Sequence, residues 1–216
     1  MNEKNSAAGG AFSVLTKIYD VMFLSVLWAV FCVPIITIGA STTALYYTTA
    51  KVLRKDAGYV WKEFWRAFKT NLVTGAIYTA ILAVVIFVLY LGFKVTDGQD
   101  DLMMKALRYV YIMIAFIMAC GYSFIFPILS RFTLPKFQMF KMAFLISIKH
   151  LPTTVILVVM LLGAAAALAY LIPLIVFIPA VVSLLSSLLI EKVFKRYLPK
   201  PEEGTPIEEL KWYQTF

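Results

Sequence analysis

Residues 151–190 read LPTTVILVVMLLGAAAALAYLIPLIVFIPAVVSLLSSLLI, 40 residues without one Asp, Glu, Lys, Arg or His. As one helix they would measure about 60 Å at 1.5 Å per residue, twice a hydrocarbon core of about 30 Å. The stretch is therefore expected to fold back on itself. Proline disfavours helix for the residue before it, which places the reversal at Tyr170–Pro173. Two antiparallel spans follow, 151–169 and 174–190, with Pro179 as a kink.

Three more uncharged runs lie upstream, at 21–50, 70–93 and 109–130. The second and third suit one span each, 71–93 and 109–130. The first is too long for one span and is interrupted by Pro34 and Gly39. Proline removes a backbone donor and glycine tolerates unusual backbone, so a first span over 12–33 is expected to end there. Ser41 is then placed to cap a second helix running to about Lys55. That helix has about ten uncharged residues before Lys51, too few to cross a bilayer. The fold class expected is all-α: a polytopic membrane bundle of five transmembrane helices with interfacial amphipathic helices. Residues 1–198 make one transmembrane domain, and 199–216 a short cytoplasmic tail.

Composition agrees with this map. The chain of 216 residues is 62% hydrophobic and 15% charged, with a mean hydropathy of +0.85. Soluble domains carry roughly 25% charged residues, so this chain could not clothe a soluble core of its size. Its net charge of +8 points to membrane topology, not to nucleic acid. With five spans, 15 of the 20 Lys and Arg fall on one side and five on the other. The positive-inside rule then puts the N-terminus outside and the C-terminus in the cytoplasm. The segment before the first span lacks the basic region of a secretory signal.

Trp61, Phe64, Trp65 and Phe68 share one helical face, with Lys62, Glu63, Arg66 and Lys69 on the others. This stripe reads as an anchor in the cytoplasmic interface or as a docking helix for a partner. Residues 136–150 repeat the theme, with Pro135 at the start, Phe137, Phe140, Phe144 and Ile148 on one face, and His150 at the end. Thr205–Glu208 forms a capping box leading to Trp212 and Tyr213. Gly163 and Ala167 give the hairpin a small-residue face, for packing within the chain or for a homo-oligomer.

The cores of the spans hold no Asp, Glu, Lys, Arg or His, and one histidine and two cysteines offer no metal-ligand spacing. No catalytic residue, cofactor or metal is expected, and the chain reads as a non-enzyme. Hydroxyls and backbone carbonyls leave uncoupled conduction open.

From Trp28 the chain reads W-A-V-F-C-V-P-I-I-T-I-G-A-S-T-T-A-L, then Tyr46-Tyr47, and F-W-R-A-F-K-T-N-L from Phe64 to Leu72. The proline, the T-x-G with small residues leading to A-L-Y, and the F-K-x-N entry resemble the YesL family of bacterial membrane proteins, a domain family of unknown function. The resemblance extends over most of the chain, including V-F-K-R-Y after the last span. It implies a cell-membrane protein that accompanies carbohydrate-uptake ABC transporters and sensor kinases, and brings no catalytic residue. Two functions are therefore expected: an accessory or regulatory partner of an ABC transporter permease or sensor kinase in carbohydrate uptake, or an uncoupled transporter or channel for a small, sugar-derived solute. The residues themselves mark Pro34, Thr37, Gly39 and Ser41 as an elbow between helices. Its exposed backbone is either capped by Thr37 or Ser41, or open to an anion or a cavity.

Overall fold

The computed structural model describes residues 3–98, 101–132 and 134–197. They form an all-helical bundle: α1 Glu3–Cys32, α2 Ile38–Thr48, α3 Val60–Thr96, α4 Leu102–Arg131, α5 Lys136–Lys149, α6 Leu151–Tyr170 and α7 Ile178–Phe194. Short 3-10 turns occupy Ile35–Thr37 and Ile172–Val176, and a π-turn, Thr49–Leu53, extends α2. The capping box at 205–208 and the tail lie outside the described residues.

Among the described residues, four helices are long and apolar enough to cross a membrane: Val14–Cys32, α3, α4 and α6. The fifth expected span rests on α7, whose 17 residues reach about 25 Å and close on Glu191 and Lys192. The reversal before α7 falls later than proline placement suggested. Tyr170 ends α6, Pro173 sits in the 3-10 turn, and Pro179 opens α7 instead of kinking it. Proline fits a first helical turn because that N–H has no helical acceptor.

The aromatic stripe at 61–68 does not form a separate interfacial helix. No proline or glycine separates it from the following span, so α3 runs unbroken for 37 residues, about 55 Å.

α1 and α2 form an antiparallel pair. Trp28 Nε1 lies 3.3 Å from Thr42 Oγ1, and Lys17 Nζ lies 3.3 Å from Asp56 beyond the π-turn. Lys17 and the basic loop 51–55 therefore share one end of the bundle. α2 is antiparallel to the first half of α3 as well, from Gly39 against Gly75 to Lys51 against Glu63. The second half of α3 pairs with α4, with Gly92 packed on Tyr111.

α2 is the hub. Ala40, Ala44 and Leu45 join the core made with α1 and α3. Tyr46 joins the other core, made chiefly by α4, α5, α6 and α7. A helix buried on all sides needs an apolar or self-satisfied surface, and the run IGASTTALYYT supplies it with small residues and hydroxyls. α7 packs against the α1–α2 pair. Its first turn meets Ser25, whose hydroxyl accepts from the Ala180 N–H at 3.2 Å, and its last turns meet Tyr46.

Two sequence-derived faces are reassigned. In α5 the buried residues are Met139, Ala143, Ile146 and Ser147, while Phe137 and Ile148 are exposed. The Gly163 side of α6 meets nothing within 4 Å, so the small-residue face does not pack the hairpin.

Candidate functional site

The elbow is built to end α1 without leaving its carbonyls bare. Pro34 stops the helix, and the Phe31 carbonyl accepts from Thr37 Oγ1 at 2.6 Å and from Ser41 Oγ at 2.9 Å. Ser41 therefore closes the preceding helix and does not cap the next one, which begins three residues earlier at Ile38. Gly39 is helical, with no positive φ. Its lack of a side chain serves contact: a Cβ there would lie 2.4 Å from the Gly75 carbonyl oxygen. The Gly39 N–H donates to Thr79 Oγ1 at 2.9 Å. The Phe31 carbonyl and the Gly39 N–H at the elbow thus both have protein partners.

The aromatic stripe faces inward. Phe64 is fully buried and Phe68 nearly so, and both pack on the Phe31 ring with centroids 5.7 and 4.9 Å away. Trp65 is half-buried with Lys69 over its ring, and Trp61 is half-exposed. Two of the four proposed anchors are core residues, which leaves Trp61 and Trp65 at the rim.

Sequence reasoning missed two charged groups that the fold buries. Glu63 takes Lys51 Nζ at 2.9 Å and Arg66, and Arg66 also donates to the Tyr47 hydroxyl at 2.6 Å. Arg131 pairs with Glu191, both side chains almost wholly inaccessible, and the Tyr46 hydroxyl donates to Glu191 Oε1 at 3.2 Å. The signal was present in the order of residues: Arg131 directly follows the run ending at Ser130, and Glu191 the run ending at Ile190. Opposite charges at the ends of two apolar runs on one side can meet. Glu191 lies in the last turns of α7, where the helix dipole opposes an anion, so Arg131 and Tyr46 hold it there. Around this pair Arg54 Nη1 donates to the Ser187 carbonyl at 3.1 Å. Burial pushes the Lys55 ammonium below the usual lysine range; Glu191 opposes that shift, and Arg131, Arg54 and Lys195 reinforce it.

Above the Tyr46–Glu191–Arg131 group lies a cavity of about 450 Å³ between α1, α2, α4, α6 and α7. One wall carries Thr42, Tyr46, Ser183 and Ser186; the facing wall, from α6, is Leu, Val, Met and Ala. Cys32 and Cys120 are free thiols, and no three His, Cys, Asp or Glu among the described residues stand close enough to hold a metal.

Residues 21–93, which carry the elbow, α2 and most of α3, match a family described as "Protein of unknown function, DUF624". No curated protein and no solved structure matches the chain.

Proposed function

We propose that the protein is a non-enzymatic membrane component acting as an accessory or regulatory partner in carbohydrate uptake, beside an ABC transporter permease or a sensor kinase. The observation that carries this reading is the placement of charge. Glu63 is held by Lys51 and Arg66, and Glu191 by Arg131 and the Tyr46 hydroxyl, contacts that tie α2 and its π-turn to α3, α4 and α7 and so lock helices together. Around the same end Lys62, Lys69, Lys192, Lys195 and Arg196 are exposed. A rigid bundle with a cationic rim suits a docking role against an acidic partner surface. The carbohydrate context comes from the likeness of residues 28–72 to the YesL pattern. Purification of the tagged chain in mild detergent tests it: a permease, its ATPase or a kinase should co-purify, and recovery of the chain alone overturns the reading.

The cavity favours a second reading, an uncoupled transporter or channel for a small solute. Liposomes holding pure protein should then take up oligosaccharides or ions, and inert liposomes across a broad panel would dismiss it.

For orientation, we infer that the basic end faces the cytoplasm and that Lys17 lies there too. Among the described residues, all Lys and Arg but Lys94, Lys105 and Arg108 then sit on one side, a stronger bias than the N-out map gives.

A further inference from the structure

We propose that the cavity between α2, α4, α6 and α7 holds one acyl chain of a membrane lipid, with Ser183 donating a hydrogen bond to that lipid's ester carbonyl. Three observations lead there. The cavity's α6 wall is apolar, two of its residues, Leu161 and Leu162, are 48% and 65% exposed, and the cavity is partly open to the outside. The space is therefore continuous with the surface that hydrocarbon chains wet. Ser183 lines the cavity, is 7% exposed, and its hydroxyl has no hydrogen-bond partner among the described residues. Its neighbours behave differently: Ser186 donates to the Val182 carbonyl at 2.7 Å and Ser187 to the Leu184 carbonyl at 2.7 Å. A buried hydroxyl held away from its own helix needs an acceptor from elsewhere.

The chemistry of the walls selects the occupant. Thr42, Tyr46, Ser183 and Ser186 offer water partners along their own wall, but the space beside the apolar α6 wall offers none. A sugar would bury many hydroxyls against leucine and alanine without acceptors, at a cost for each. An acyl chain matches the α6 wall, and the ester is the first polar group along it, an acceptor without a donor. That is the complement of a lone hydroxyl.

Two measurements test this on the full chain. In native mass spectrometry from mild detergent, the protein should carry one phospholipid. Ala164→Phe, which fills the cavity from α6, should abolish the adduct. Ser183→Ala should weaken retention by ~5-fold, the value of one hydrogen bond, while Ser186→Ala leaves it unchanged. The second measurement uses Trp28, which lines the cavity, as the sole tryptophan after W61F, W65F and W212F. In vesicles of phosphatidylglycerol brominated on its acyl chains, Trp28 fluorescence should be quenched, and less so with Ala164→Phe. Protein that carries detergent but no lipid, equal retention in Ser183→Ala and Ser186→Ala, or Trp28 quenching that ignores Ala164→Phe would each overturn the proposal.

Discussion

A methyl group on residue 39 would meet the Gly75 carbonyl oxygen at 2.4 Å, and one on residue 75 would meet the Ala40 nitrogen at 2.6 Å. Both obstacles are backbone, so α2 and α3 would have to separate. Forcing volume into a packed contact costs about 1–3 kcal/mol. Gly39→Ala should therefore lower the thermal unfolding temperature in detergent, and Gly39→Val should lower it further. Gly163→Ala is the opposite case: nothing lies within 4 Å, and alanine favours a helix interior over glycine by up to about 1 kcal/mol. It should be neutral or stabilising. Equal losses at 39 and 163 would show that helix propensity, not close approach, governs both. His150 gives a second test at this scale. Burial first, then the charges of Arg196 and Lys149, holds its imidazole below the ordinary histidine range. A depressed histidine is neutral in the folded chain where the unfolded chain is protonated. Stability is then fully present above the ordinary value and lost as pH falls through it. As the chain's one histidine, it can be followed by NMR without assignment; it should titrate below about 6.5, and Arg196→Gln should raise its midpoint.

At the scale of elements, the Arg131–Glu191 pair joins the ends of α4 and α7, and Tyr46 adds α2. Removing one buried partner strands the other charge and costs about 3–5 kcal/mol, whereas replacing both with apolar residues is often neutral. Glu191→Leu alone and Arg131→Met alone should each lower yield and melting temperature sharply. The double variant should recover most of the loss, and a double variant as poor as the singles would argue for a function of the charges beyond fastening helices. The sequence shows why this clasp was hidden while the spans were plain. Exclusion of charge over some 20 residues is a local signal, readable one helix at a time. Which charges at the margins meet is settled by helix partners that no local pattern names. The aromatic stripe makes the same point. A spacing of three and four residues shows that Phe64 and Phe68 share a face with Trp61 and Trp65, but not whether lipid or Phe31 covers it. The elbow was legible from Pro34 and the small residues around it. The use of Thr37 and Ser41 was half legible: hydroxyls near a helix break need acceptors, yet only the path of α2 shows that both reach Phe31.

The whole molecule turns on how α1 and α2 relate. Counting loop charges assumes that each apolar run is a separate crossing, and Lys51 inside the π-turn cuts the α2 run short. α2 therefore looked like a loop helix, and α1 like a lone first span with Lys17 outside. The antiparallel contact of Trp28 with Thr42 and of Lys17 with Asp56 makes the two a hairpin instead, returning to the end from which it started. That geometry carries a labelling prediction. In a background with Cys32→Ser and Cys120→Ala, single cysteines at Lys17, Asp56 and Asp97 report on both ends. Lys17 and Asp56 are exposed, with 52% and 69% of their side-chain surfaces accessible, and Asp97 with 73%, so each cysteine would be reachable from water on its own side. An impermeant maleimide added to intact cells should label Asp97→Cys and spare Lys17→Cys and Asp56→Cys; after permeabilisation all three should react. A charge belt turned outward would reverse the pattern but keep Lys17 and Asp56 together. Labelling of Lys17→Cys without Asp56→Cys in intact cells would instead restore the odd crossing and break the hairpin on which α2's central place depends.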